Sequence, residues 1–463
     1  MSEPRDDLID TLSVEQLLQL HLKSELPCLW TIRDSHIHGR GLFATRDIEQ
    51  GEVIFRDEAL VIGPRSGTSS DPVCVGCLSN SSPLSPCSKN CALPVCSSQC
   101  ENSVQHSWEC SFLRDHCTVE NTKDGVSLDL VRTVTPIRCL QMSRLKRTIV
   151  RALETREFPI CEVDVLKRYL HKKLPAEDDK FLRLCCGTLD TNAYAGTGHG
   201  KGLIFRGLYA LSAMMNHSCT PNTTYWFDEA NRMVVKAART IGKEEEILST
   251  YTSLLWGTAT RRSFLSNTKE FLCRCARCKD PTEFDTNLSA IYCKTKPCGG
   301  ILLPGNPLDI KSDWLCSSKI KEHKMGAQKA FQLLNIWSKV AQMLTENEDL
   351  QQIQMFLKGI PENSQSGIQI RKYFVLQSKG QITDMTNEML LFKEQSCYKL
   401  LDLIKRLKLG RNYLKGLILR ELFHLLQEKS KRSQVQVDQD QVDSIKTEFE
   451  KILKFDVTPQ ESG

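Results

Sequence analysis

The chain has 463 residues, 40% apolar and 7% aromatic, which is material for an ordinary globular core spread over about two to four domains. A net charge of +5 is too mild to point strongly to nucleic acid. The acidic start, Met1 to Asp7, lacks a signal-peptide pattern, and no run of 18 apolar residues suggests a membrane span.

Leu8, Leu12, Leu17, Leu18 and Leu22 have helical spacing and predict an amphipathic N-terminal helix over residues 8–26, within a segment 1–28. Residues 29–62 alternate short strand-like runs with turns: Leu29–Ile32, the Gly39–Gly41 turn, and Val53–Phe55. Gly63 to Pro72, rich in Ser, Gly and Pro, reads as a linker. A compact cysteine module follows at 74–110, then a helical insert at 111–200 with Leu140, Leu145, Ile149 and Leu153 on one stripe. Strand character returns over 201–252: Leu203–Phe205, Thr223–Phe227, Met233–Val235 and Glu246–Leu248, with Asp228–Asn231 as a hairpin turn. A cysteine tail occupies 253–279 and a further cysteine segment 290–320. From 321 to 463 strand signals vanish. Amphipathic helices are expected at Ala330–Leu344, Met389–Leu407 and Leu414–Leu426, with Gly410 as a stop and no clean repeat period. Residues 429–443 are polar and read as a mobile loop. The basic runs Arg144–Arg147 and Lys167–Lys173 read as solvated helix faces.

Twenty-one cysteines without a secretory signal favour metal ligation over disulfides. Seven of them (Cys28, Cys117, Cys139, Cys161, Cys185, Cys186, Cys397) read as small buried apolar residues. The others cluster. Cys74-x2-Cys77, Cys87-x3-Cys91, Cys96-x3-Cys100 and His106-x3-Cys110 supply eight ligands, enough for two closed zinc sites, with the pairing left open by spacing. Cys219 with Cys273, Cys275 and Cys278 makes a four-sulfur set. Cys293, Cys298 and Cys316 make a set of three, with His323 as a substitute fourth ligand.

The stretch Asn216-His217-Ser218-Cys219-Thr220-Pro221-Asn222 is poor material for a helix or strand interior and good material for a tight polar segment. Together with Tyr251, the Cys273 tail and the early Gly39-Arg40-Gly41-Leu42-Phe43-Ala44 run, it resembles the core of a SET-domain protein methyltransferase. The 74–110 module resembles a MYND zinc module, and the combination resembles the SET-and-MYND family, insect-type members in particular, over roughly residues 29–320.

That resemblance implies an α+β multidomain fold. A split, knot-like SET core carries an inserted MYND module, a helical insert, a cysteine-rich post-SET tail and an α-helical C-terminal domain. It implies S-adenosyl-L-methionine as cofactor and lysine in a histone or non-histone protein as substrate, with a place in transcription regulation and chromatin. Tyr251 matches the catalytic tyrosine. His38, Gly39, Arg40, Gly41, Asn192, Asn216, His217, Tyr251 and Phe271 would hold the cofactor, with Phe271 against the adenine. In the MYND module ligation would interleave: Cys74, Cys77, Cys96 and Cys100 on one zinc; Cys87, Cys91, His106 and Cys110 on the other. Cys219, Cys273, Cys275 and Cys278 would hold the post-SET zinc, and the 290–320 segment resembles a degenerate, metal-free ribbon. MYND modules dock proline-containing peptides of partner proteins. The chain would be a monomer in the nucleus or cytoplasm, away from membranes.

Two departures matter. Glu244-Glu245-Glu246-Ile247 stands where Gly-Glu-Glu-Ile is usual, and none of Lys269, Glu270, Phe271 and Leu272 is the second tyrosine that active members often carry. They motivate an alternative: a catalytically weak or inactive scaffold whose MYND module recruits partners such as corepressors.

Overall fold

The computed structural model describes residues 6–23, 27–64, 72–80, 82–118, 125–157, 160–197, 204–295, 298–318, 323–378, 380–433 and 438–453. These form two units. The first contains Met1–Gly41, Phe55–Met215 and Trp226–Val235; the second contains Leu42–Ile54, Asn216–Tyr225 and Lys236–Gly463.

The first unit begins with two short helices, Asp6–Ile9 and Val14–Leu22, instead of the single helix expected over 8–26. Ser13 explains the break. Its hydroxyl accepts from Gln16 N while Gln16 Oε1 accepts from Ser13 N, a capping box that starts a new helix. Glu15 then ties that helix to the following strand, Trp30–Asp34, accepting from Thr31 Oγ1 at 2.9 Å and Ile32 N at 2.8 Å. Ser35 N–H donates to Gly39 O across the next turn, where Gly39 has φ +48°.

Ala59–Pro64 pairs antiparallel with Ile204–Tyr209, whose other edge pairs with Tyr194–Thr197. Gly63 and Pro64 are therefore strand residues, not linker; the rest of that expected linker, up to Asp71, lies outside the described residues, as does Leu203. Pro64 is tolerated because it closes its strand, and its carbonyl accepts from buried Thr135 Oγ1. The Asp228–Asn231 turn forms as expected. Asp228 N donates to Arg232 O at 3.0 Å and Asn231 takes φ +59°.

The insert is four helices: Leu128–Cys139, Arg144–Ala152, Glu162–Lys167 and Ala176–Asn192. Leu140 and Leu153 close the first two as C-caps, so the expected stripe is divided between helices. Its apolar faces share one core with the cysteine module: Val75, Leu93 and Leu113 pack with Leu130, Val134, Leu166 and Leu182. Each such buried leucine stabilises by about 1.5–3 kcal/mol. The basic run at 144–147 is partly paired, with Arg144 on Asp10 and Arg147 near Asp178.

In the second unit, Phe43 and Leu42 pair antiparallel with Glu246 and Ile247, Ile48 bridges Ile241, and Ala237 N donates to Glu52 O. A four-stranded antiparallel ribbon (Ile291–Tyr292, Ile301–Pro304, Trp314–Cys316, Lys324–Met325) leads into six helices: Ala327–Asn347, Leu350–Lys358, Gln365–Leu376, Asn387–Arg406, Tyr413–Ser433 and Gln439–Leu453. The expected loop at 429–443 is mostly helix; only 434–437 lie outside the described residues. Val442, Ile445, Phe449 and Ile452 repeat at helical spacing, and the first three pack on the core of Leu400, Leu403, Leu422 and Leu425. The helical part is fastened to the strands: Tyr413 N donates to Thr224 Oγ1 at 3.0 Å and Arg411 N to Ala238 O at 2.7 Å. Among the described residues no helix is long and apolar enough to cross a membrane.

Candidate active site and metal centres

His217 is the centre of the second unit's polar constellation. Its segment runs beside Ser249: Ser218 N donates to Ser249 O and Ser249 N to Asn216 O. Asn222, fully buried, stitches the same elements together. It donates to Glu246 O at 2.8 Å and accepts from Leu248 N at 2.7 Å. Asn216 Nδ2 donates to Glu246 Oε1 at 2.8 Å.

Both ring nitrogens of His217 are engaged. Nδ1 accepts from Tyr251 N at 3.0 Å, so Nε2 carries the proton and faces Cys219 Sγ at 3.3 Å. Burial pushes this imidazole down to about 4, consistent with a neutral ring. His217 was expected, with Asn216, to contact the cofactor through side-chain and backbone atoms; both of its ring nitrogens are engaged within the protein.

The Tyr251 ring lies 5.2 Å from the His217 ring and 6.4 Å, edge to face, from that of Phe271. Phe271 is also 5.9 Å from His217, and Lys269 Nζ stands 5.8 Å over the Tyr251 ring. Burial first, then the Glu246 carboxylate, holds the Tyr251 phenol above its ordinary value, so it keeps its proton at neutral pH.

The Glu244 departure is visible in the backbone. Glu244 has φ +67°, the left-handed region where glycine is free of strain. The turn is kept without glycine because Glu244 N donates to Ala44 O and Glu245 N to Gly242 O.

His38, Gly39, Arg40, Gly41 and Asn192 belong to the first unit. His38, Gly39 and Arg40 are exposed. Arg40 donates to Ala152 O at 2.5 Å and Asn192 Nδ2 to Glu154 O at 2.6 Å, so these two candidates converge on one short segment.

Among the described residues, four clusters gather metal-ligand atoms within 4.8 Å of one another. In the cysteine module the sets are Cys74, Cys77, Cys96, Cys100 and Cys87, Cys91, His106, Cys110, the interleaved arrangement. Cys77 and Cys100 each stand 3.6 Å from Cys96, sulfur to sulfur, and Cys91 Sγ is 3.9 Å from His106 Nε2. His106 Nδ1 faces Glu109 Oε2 at 3.8 Å, and Glu109 in turn accepts from Arg138. A carboxylate behind a ligating histidine orients its ring for metal. Glu109 lies three residues after His106 on one helix, a signal legible in the sequence.

The third set is Cys219, Cys273, Cys275 and Cys278, with Cys219 Sγ 3.8 Å from Cys273 and 3.5 Å from Cys278. Its surroundings were not anticipated. Arg261 and Arg277 are fully buried there. Arg261 Nη2 stands 3.6 Å from Cys278 Sγ, Arg277 Nη1 donates to Cys219 O, and both bind Glu283 Oε2, at 2.6 and 3.1 Å. Four thiolates around a divalent ion carry a net double negative charge, which the two guanidiniums offset in part, since they also share Glu283. Four neutral thiols would leave these buried cations in excess over Glu283, so the donor set fits zinc. Arginine inside a C-A-R-C run reads as surface charge, and nothing local marks Glu283 as its partner.

Of the seven isolated cysteines, five are buried; Cys28 and Cys161 are partly exposed. Cys161 departs further from the apolar expectation. Its sulfur lies 3.7 Å from Arg183, and a hydrogen bond from Cys186 helps lower its thiol to about 7.

The SET-domain family profile matches residues 39–252. The chain is 36% identical over 316 residues to isoform A of the SET domain-containing protein SmydA-8 of Drosophila melanogaster, covering 65% of this chain and 67% of the relative. For isoform B the identity is 32% over 333 residues, covering 68% and 73%. The chain belongs to the SMYD-type family of SET-domain proteins. A more distant relative of this SMYD-type chain is the histone-lysine N-methyltransferase ASHR1 of Arabidopsis thaliana, 27% identical over 294 residues, covering 57% and 59%.

Proposed function

We propose that this SMYD-type protein is an S-adenosylmethionine-dependent protein-lysine N-methyltransferase. One observation carries the reading: the Asn-His motif fixes the backbone of Tyr251 through His217 Nδ1 and the same ring faces a zinc-type cluster, which holds a protonated phenol beside an apolar wall. The relatives' names support the reaction class.

When bound, S-adenosylmethionine supplies an electrophilic methyl on a sulfonium. The attacking group is a neutral amine, so a substrate lysine first gives its proton to water. Desolvation beside Tyr251 and Phe271 favours that loss by destabilising the ammonium. The Tyr251 hydroxyl would then orient the amine lone pair toward that methyl. Asn216 and His217 serve the cofactor; by resemblance to the family, His38, Gly39, Arg40, Gly41 and Asn192 are further cofactor candidates. The interleaved MYND clusters and the post-SET cluster are structural zinc sites, and the MYND module docks proline-containing partner peptides. A histone or other protein substrate, transcription regulation, a nuclear or cytoplasmic place and a monomeric state belong to the same proposal.

The test is calorimetric titration of the zinc-loaded chain with S-adenosylmethionine, beside methyl transfer to lysine peptides. Asn216→Ala should lose binding; Tyr251→Phe should bind and fail to transfer. Methylation that persists in Tyr251→Phe removes the catalytic assignment. Phe271, which brings no hydroxyl to the Tyr251 ring, favours a second reading, the partner-recruiting scaffold. There Tyr251→Phe is silent in cells and Cys74→Ser or Cys87→Ser abolishes function.

A further inference from the structure

Four strands between residues 291 and 325 pair antiparallel in sequence order, and the first and last of the three pairings each carry two donors near one end. Cys293 and Cys298 belong to the first, where Cys293 N donates to Gly300 O. Cys316 and His323 belong to the last, where Cys316 N donates to His323 O at 2.9 Å. Leu302 pairs with Cys316, which sets the Cys293–Gly300 end beside the Cys316–His323 end.

All four donor atoms fall within 4.8 Å of one another. Cys293 Sγ is 3.6 Å from His323 Nδ1, and Cys298 Sγ is 3.3 Å from Cys316 Sγ. A tetrahedral zinc with its usual bond lengths separates two sulfurs by about 3.8 Å and a sulfur from a nitrogen by about 3.5 Å. The close approach is built in: a Cβ at residue 300 would lie 2.8 Å from Cys316 Sγ, so only glycine leaves room for that thiol. Three sulfurs and an imidazole select zinc over harder cations. Strands of two to four residues form a short ladder; Ile291, Leu302 and Trp314 pack it against Ala330 and Phe331 of the next helix, and a metal staple would tie its other end.

We infer that Cys293, Cys298, Cys316 and His323 hold a fourth, structural zinc ion. The sequence pattern alone favoured a degenerate, metal-free ribbon because no fourth cysteine follows Cys316; its expected place reaches Lys319, outside the described residues. His323 takes that role from across the last pairing.

The test counts zinc per full-length chain by inductively coupled plasma mass spectrometry after gel filtration in reducing buffer. The wild type should carry four equivalents. His323→Ala and Cys298→Ser should each carry one fewer, and His323→Cys should keep the wild-type count, which separates loss of a ligand from loss of the fold. A Cys219→Ser chain reports on another centre in the same assay, so the outcome does not depend on the catalytic reading. His323→Ala retaining the wild-type zinc content overturns the proposal. So does a loss in His323→Ala that His323→Cys fails to restore.

Discussion

Glu283→Gln is a near-isosteric change with a calculable effect. Glu283 Oε2 accepts from Arg261 and Arg277, and Oε1 from Thr258 N at 2.9 Å and Ser289 Oγ at 3.1 Å. Glutamine can keep one acceptor oxygen but removes the charge and puts an N–H₂ where a donor already points. Breaking a buried ion pair from one side costs about 3–5 kcal/mol. The zinc state decides where in that range the value falls. With zinc bound, two guanidiniums face a doubly negative metal cluster, so losing Glu283 leaves the site balanced, and about 3 kcal/mol is expected. With zinc stripped and the thiols protonated, two buried cations lose the carboxylate they share, and the cost should approach 5 kcal/mol. Urea unfolding followed by circular dichroism, with and without a chelator, measures both, while a chromophoric chelator reports zinc release. A cost below about 1 kcal/mol, equal in the two states, refutes the charge argument.

Other changes probe the frame. Gly410 has φ +61° and its Cβ would fall 2.1 Å from Ala238 O, so Gly410→Ala should cost more than about 2 kcal/mol in thermal or urea unfolding. Glu244→Gly relieves a left-handed residue at some cost in unfolded-state entropy, for a net gain of about 0.5 kcal/mol; a lowered Tm speaks against strain there. Buried Asp57 accepts from Ser212 N at 2.6 Å, and burial raises its carboxyl to about 7 from 3.8. The folded chain then binds more protons than the unfolded chain between those values, so this residue makes stability fall as pH rises from about 4 to 7. Asp57→Asn should flatten the Tm–pH profile, with a relative gain of up to about 4 kcal/mol above pH 7; parallel profiles for the two chains reject the assignment.

What the sequence disclosed follows from how local each signal is. Ligand pairs two to four residues apart announce themselves, and long apolar stripes such as Leu414–Leu426 mark helices. The Gln439–Leu453 helix was hidden by its polar composition, although Val442, Ile445, Phe449 and Ile452, four of its five apolar residues, keep the helical period. His323 was legible only as a candidate, because strand pairing, not spacing, brings it to Cys293. Arg261, Arg277 and Glu283 ran against the general expectation that charged side chains face water. The Ser13 capping box was present in the residues and divided the expected N-terminal helix.

His217 gives the second unit an unusual economy. One imidazole ring stands between a sulfur of the post-SET cluster and the main chain of Tyr251. The placement of the phenol is thereby mortgaged to the oxidation state of a cysteine more than thirty residues upstream. An oxidant or a thiophilic heavy metal that claims Cys219 would reach Tyr251 through the His217 ring. Its imprint on the chain would be a displaced tyrosine, with Arg261 and Arg277 left without the thiolate charge they face.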